Sequence, residues 1–261
     1  MTDTKLHFTN RLFAVRFFVL STIQTLVSLV FGGERCLRCS AHTLRIPLCK
    51  RCLPILWRTG VSRACIRCGR ALISEIGLCT YCRQTSALQN VGQVSALHDY
   101  QLWKKSLLFA WKMENKRNLS VYFAAILYQK LRVLEQKLDR KLFVVPVPPR
   151  PGKIAERGWD QIDELCFYLA HGWNVKILRV LERLSHAQQK KLDRAQRIEG
   201  IASSYRLKKQ RRLARIAKNV PDAVVLVDDV LTTGSTIEAC SRELKKWGVR
   251  RIFPITLFIV D

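Results

Sequence analysis

Eight of the ten cysteines in this chain fall between residues 36 and 82, and all eight stand as C-x-x-C pairs. The order is Cys36-x2-Cys39, nine residues, Cys49-x2-Cys52, twelve residues, Cys65-x2-Cys68-Gly69, ten residues, Cys79-x2-Cys82. Such a pair turns two thiolates toward one ion across a tight knuckle, and two knuckles complete a tetrahedral zinc site. Four knuckles therefore make two sites. Sequential pairing joins Cys36, Cys39, Cys49 and Cys52, then Cys65, Cys68, Cys79 and Cys82; a cross-braced pairing fits the spacing as well. Iron–sulfur clusters are the rival, but their cysteine runs are usually less regular. The loops between the pairs are too short to build a core, so the metal is expected to stabilise this module outright. Four cysteines close the coordination sphere, which gives the two zinc ions a structural or docking role.

The chain shows no clear small-residue cleavage site after its first apolar run, so the sequence predicts a reducing, cytoplasmic compartment in which paired thiols mean metal. Cys166 and Cys240 stand alone in apolar helical patterns and read as packing residues. Lys and Arg number 45 against 20 Asp and Glu, a formal charge of +25. A surface of that sign attracts polyanions, so nucleic acid or an anionic membrane is the natural partner. The excess is spread over several segments: eight Lys/Arg against the single acid Glu75 in 36–82, and seven with no acid in RLKKQRRLARIAK, 206–218.

With 261 residues there is room for one large and one small domain. Residues 1–33 form an N-terminal extension whose stretch FFVLSTIQTLVSLVF, 17–31, carries no charge. Its 15 residues fall short of the ~20 that cross a bilayer. It is read as a helix that packs on the body, with peripheral membrane contact through 6–31 as the alternative. Residues 34–83 hold the cysteine module. From 92 to 261 the texture changes: VGQVSAL, LFVVPVP (142–148), NVKILRVL, AVVLV and RIFPITLFIV read as strands, and LWKKSLLFAWK, LSVYFAAILYQKLRVLEQKL, QIDELCFYLAHG (161–172) and 235–247 read as helices. Gly172 and Gly248 are expected to stop their helices. Strands alternating with helices predict an open α/β sheet, mostly parallel, with helices on both faces.

One strand leads to unusual chemistry. Ala223–Val227 is apolar and β-branched, and it runs into Asp228 and Asp229, then into Thr232, Thr233, Gly234, Ser235 and Thr236. Ser235-x-x-Glu238 has the form of a capping box that opens a helix. The threonine loop thus joins a strand's carboxyl end to a helix's amino end, where backbone N–H groups and the helix dipole favour an anion. Gly234 lets a backbone approach closely, and the hydroxyls add donors. Carboxylates next to a phosphate cradle need a different part of the ligand, and vicinal sugar hydroxyls donate to them. A ribose 5-phosphate group satisfies both halves. The bland alternative is a strand–turn–helix joint whose Asp and Thr merely cap the helix. Neither GxxxxGK[ST] nor GxGxxG occurs, which disfavours an ATPase P-loop or a dinucleotide fold.

VVLVDDVLTTGST (224–236) resembles the phosphoribosyl pyrophosphate (PRPP) motif of type I phosphoribosyltransferases. VPVPPRPGKIAERGWDQ (145–161) resembles the VPVP…RGFNQ signature of the ComF/GntX group, competence-associated proteins of phosphoribosyltransferase-like fold that also begin with paired CxxC knuckles. LSHAQQKKLDRAQRIEGIASSY (184–205) resembles a third segment of that group through Gln189, Leu192 and Arg197; Gly200, Tyr205 and Trp159-Asp160 depart from it. The resemblance implies that Asp228 and Asp229 hold the ribose hydroxyls and Thr232 to Thr236 the 5-phosphate. On that reading Arg150, Lys153 and Arg157 hold the pyrophosphate, with Mg²⁺ bridging it. It also implies work on incoming single-stranded DNA at the inner face of the membrane, beside a DNA-uptake helicase. Transfer of the phosphoribosyl group to an amine or base is the enzymatic alternative; no sequence feature marks an acceptor pocket.

Overall fold

The computed structural model describes residues 33–43, 46–57, 63–85, 88–100, 102–184, 204–211, 213 and 219–260. The apolar extension before residue 33, the segment of Gln189, Leu192, Arg197 and Gly200, and most of the basic run after 211 lie outside them. Among the described residues no helix is long and apolar enough to cross a membrane.

Five consecutive apolar residues that must be covered on both faces need a parallel sheet between two layers. That is where Ala223–Val227 sits, at 0–5% exposure. Strands β3 (Ser95–Asp99), β4 (Phe143–Pro146), β7 (Ala223–Leu231) and β8 (Arg251–Ile259) form one sheet in the order β3-β8-β7-β4, every neighbouring pair parallel. Pro254 interrupts β8 where it has one partner, since pairing with β3 begins at Ser95 opposite Ile255. Two small antiparallel ladders stand apart: β1 (Glu34–Arg35) with β2 (His42–Thr43), and β5 (Leu181–Arg183) with β6 (Tyr205–Leu207). The expected α/β class with a largely parallel sheet is the class found.

Each face has its own core. Helices α3 (Leu102–Lys112), α4 (Leu119–Leu138) and α6 (Gln161–Trp173) cover one side, packing Leu107, Trp111, Phe123, Leu127, Leu165 and Leu169 on Val225 and Val227. Helix α7 (Ser235–Trp247) covers the other with Ile237, Cys240 and Leu244 on Val224 and Leu226. Each side chain removed from water this completely stabilises the fold by about 1.5–3 kcal/mol. Trp111 also donates its indole N–H to Ser120 Oγ at 2.7 Å, so its one polar atom is satisfied. Cys166 and Cys240 are both fully buried, as packing residues should be; burial pushes the Cys166 thiol up to about 12 and raises Cys240 well above the ordinary thiol value.

The eight cysteines pair sequentially. The two clusters do not share a core. Cys36 and Cys52, with Ile46, Leu48 and Leu56 of the short helix α1 (Leu53–Leu56), belong to the α3–α4–α6 side. Cys65, Cys68, Cys79 and Cys82, with helix α2 (Thr80–Gln84), belong to the α7 side. The two knuckles Cys36–Cys39 and Cys65–Cys68 fold alike: the N–H four residues beyond each first cysteine returns to that cysteine's carbonyl, Ser40 N–H to Cys36 O at 2.8 Å and Gly69 N–H to Cys65 O at 2.9 Å. Both follow the second cysteine in the left-handed region, at φ 59° and 77°. Ser40 tolerates this; position 69 does not, because a Cβ there would stand 2.5 Å from the Val94 carbonyl oxygen. Gly69→Ala is expected to cost about 2–4 kcal/mol. Thermal unfolding at saturating zinc measures it, and an unchanged midpoint would mean that the second knuckle does not dock ahead of β3.

Two boundaries differ from the reading above. Gly172 does not stop α6: it is buried, Trp173 continues the helix by stacking on Tyr128 at 5.0 Å, and Asn174 ends it in the left-handed region. NVKILRVL contributes one bridge, Ile177 to Val144, and its last residue opens β5.

Candidate functional site

The apolar run of β7 ends at Val227, but the strand does not. Its ladder with β8 continues through Asp228 opposite Thr256 and Val230 opposite Phe258 to Leu231. The two acids are therefore strand residues, not loop residues, and successive side chains of a strand point to opposite faces. Asp229 turns to the α3 side, where Lys112 Nζ, at the last residue of that helix, meets Asp229 Oδ2 at 2.7 Å. Asp228 lies on the α7 side, its Oδ1 accepting the Asp229 backbone N–H at 2.8 Å. Desolvation by the surrounding protein, followed by repulsion from Asp229, pushes the Asp228 carboxyl up to about 7; the Asp229 N–H, Lys112 and Lys153 pull the other way. Near neutrality the Asp228 carboxyl therefore takes up and releases a proton easily, and a cation or hydroxyl donors placed beside it would favour its charged form.

Beyond Leu231 the chain turns outward. Thr232 and Thr233 are exposed, Gly234 is the N-cap residue of α7 at φ 81°, and Ser235 and Thr236 form the first helical turn. Thr233 Oγ1 lies 2.8 Å from Ser235 Oγ. The Thr236 hydroxyl interacts with the buried Tyr205 phenol of β6. The expected capping box does not form: Gly234 has no side chain to cap with, and Glu238 reaches away to Asn90, accepting its backbone N–H at 3.2 Å and its side-chain amide. Gly234 answers to its positive φ and to Leu88, whose Cδ2 would lie 2.9 Å from a Cβ at that position. So the glycine admits a neighbouring leucine.

The basic residues proposed after β4 divide. Lys153 opens helix α5 (Lys153–Arg157) and donates to Asp160 Oδ2 at 2.8 Å and Gln161 Oε1 at 2.6 Å. Both acceptors are buried, and Asp160 also caps α6 by accepting the Asp163 N–H. Lys153 is thus a cation held by two acceptors and near enough to lower the Asp228 carboxyl, not a free arm. Arg150 pairs with Glu156 at 2.5 Å on the open surface. The Arg157 side chain lies outside the described part. Nothing in the local pattern marks Lys112 as a site residue, since it works through Asp229, far along the chain, and Asp160 and Gln161 enter only through their bonds to Lys153. A hint lay in Trp159-Asp160 itself: a carboxylate stands where the resembled signature has an amide, and it neutralises Lys153.

The metal centres satisfy a direct geometric test. Tetrahedral zinc–thiolate bonds of about 2.3 Å place neighbouring sulfurs about 3.8 Å apart. Cys39 and Cys49 Sγ lie 3.5 Å apart, Cys68 and Cys79 Sγ 3.7 Å, and within each cluster all four sulfurs fall within 4.8 Å of one another. Both sets fit a zinc ion.

No family model matches the chain. It is similar to "Competence protein F" of Haemophilus influenzae, 27% identical over 220 residues that cover 72% of this chain and 93% of that protein. It is also similar to "Competence protein ComFC" of Streptococcus pneumoniae, 25% identical over 162 residues that cover 62% of this chain and 66% of that one.

Proposed function

These relatives support a ComF family assignment for the chain, and from that premise we propose that it is a competence protein that handles single-stranded DNA and takes PRPP, or a related ribose 5-phosphate, at its threonine loop. One observation carries the ligand reading. Two carboxylates, one of them with its proton held to about 7, stand at the carboxyl end of a central strand next to exposed hydroxyls at a helix amino end. The acids accept from the diol, the loop receives the phosphate, and Lys112 and Lys153 keep the pair from excluding an anionic ligand. Mg²⁺ would accompany the pyrophosphate.

The DNA reading draws on the other end of the sheet. Arg140, Arg250 and Arg251 converge on the single carboxylate of Asp222, at 2.8, 2.5 and 2.8 Å, just before β7 and β8 begin. Three guanidiniums held in place by one acid offer preorganised contacts to a phosphate backbone, away from the threonine loop.

Fluorescence anisotropy with a labelled single strand tests this part. Affinity is expected to fall at least tenfold between 50 and 200 mM salt. Replacing the three arginines with Gln should lower the slope of log K against log salt by about 2, since each lost single-strand phosphate contact removes about 0.7. A salt-independent affinity overturns the backbone reading. Calorimetry with PRPP and Mg²⁺, on wild type and on Asp228→Asn with Asp229→Asn, tests the other part, and a pyrophosphate-release assay on the same samples separates binding from phosphoribosyl transfer.

A further inference from the structure

The threonine loop does not stand alone: the second cysteine cluster leans on it. Tyr81, between Cys79 and Cys82 on α2, donates its hydroxyl to the Thr233 carbonyl at 3.1 Å. Leu88 fills the space left by the missing side chain of Gly234. Asn90 holds Glu238 in the first turn of α7 through two hydrogen bonds. On the metal side, Arg67 spans the cluster, donating to the Cys82 carbonyl at 2.9 Å while its own carbonyl accepts the Val94 N–H at 2.9 Å. Cys65, Cys68, Cys79 and Cys82 are 0–4% exposed and share one core with Leu88, Leu231, Ile237 and Cys240. The first cluster differs, with Cys39 exposed and Cys36 and Cys52 packed on the opposite face of the sheet.

Helix α2 has five residues, too few to hold its shape without an external anchor. Its first and last fixed points are Cys79 and Cys82, so what holds those two thiolates also holds Tyr81. We propose that the second four-cysteine cluster positions the Thr232–Thr236 loop, so that metal in that cluster governs how well the loop receives an anion. The inference rests on the ligand reading of the loop given above. Tyr81, Leu88 and Asn90 are its positioning residues: they touch the loop and the helix start, not the ligand. Coupling of this kind is reciprocal, and an anion in the loop must tighten the metal by the same factor.

Hydrogen exchange on the full-length, zinc-loaded chain tests the positioning without any ligand. Cys68→Ser is expected to speed exchange of the amides at 232–237 by about tenfold, whereas Cys39→Ser in the first cluster leaves them unchanged. Tyr81→Phe, which keeps all eight thiolates, should speed them as well while a chromophoric chelator still counts two zinc ions per chain. Equal loop exchange in wild type, Cys68→Ser and Tyr81→Phe overturns the proposal. The reciprocal arm uses ribose 5-phosphate: it should slow zinc release from the second cluster and not from the first. Binding seen by calorimetry with both release rates unchanged also overturns the coupling. Failure of ribose 5-phosphate to bind, together with loop exchange that still follows the second cluster, overturns the ligand reading and supports the positioning role.

Discussion

Replacing Asp228 with Asn is expected to raise the free energy of unfolding at pH 8 by about 2–4 kcal/mol and to leave it nearly unchanged at pH 4. In the unfolded chain this carboxyl titrates near 3.8, whereas in the fold its proton is held to about 7. Between those values the native state binds the extra proton. Stability from this group is therefore fully present below about pH 4 and is lost as pH climbs through 7. Asn keeps an oxygen that accepts the Asp229 N–H and removes the charge that burial and Asp229 both oppose. Urea unfolding at the two pH values measures the difference. A variant no more stable than wild type at pH 8 would show that Asp228 bears no buried charge. On the proposed reading the same substitution should abolish binding of a sugar diol, because the desolvated carboxylate would be the group that accepts from it. A destabilised residue at a binding site is the common form of the conflict between stability and function.

Stripping zinc with a strong chelator is expected to lower the thermal midpoint by more than about 10 °C and to collapse the near-ultraviolet signal of the buried tryptophans. Structural zinc in small modules is worth about 10–16 kcal/mol, as much as the whole stability of an ordinary domain. The effect should reach far beyond residues 36–82, because each cluster supplies a wall to a different core. Cys36 and Cys52 lie in the cluster that holds Trp111, Trp159 and Trp173, and Cys65 to Cys82 lie against α7. A loss of even 5 kcal/mol moves the midpoint of a chain this size by about 10–20 °C. If the midpoint and the aromatic signal both survive complete zinc removal, the clusters are appendages and the packing described here does not hold the fold.

What could be read in advance was whatever rests on short-range pattern. Helices 102–112, 119–138 and 235–247 begin and end where their apolar stripes do, and the CxxC spacing located both metal sites. What could not be read depends on partners distant in the chain. The extension of β7 past Val227 is set by β8, which pairs with Asp228 and Val230 whatever their polarity. Ser235-x-x-Glu238 has the letters of a capping box, but Asn90, 148 positions away, claims the glutamate. Gly172 looked like a terminator because nothing local announces that Trp173 will stack on Tyr128. At the candidate site the acids and hydroxyls were visible as types; that Lys112 and Lys153 would be fixed beside them was not.

The sheet order β3-β8-β7-β4 has a consequence for biosynthesis. Both outer strands leave the ribosome before either inner one, so while the intervening chain is made β3 has no strand partner and β4 has only the single bridge from Val144 to Ile177 on its outer edge. The edge of Phe143–Pro146 that later meets β7 stays open during that interval, the kind of surface on which nascent chains associate wrongly. Cysteine knuckles that can already capture metal would give the nascent chain one ordered anchor through the delay. Slow translation ahead of Ala223, or a shortage of zinc, should therefore raise the demand for chaperones far more than any change on the finished surface.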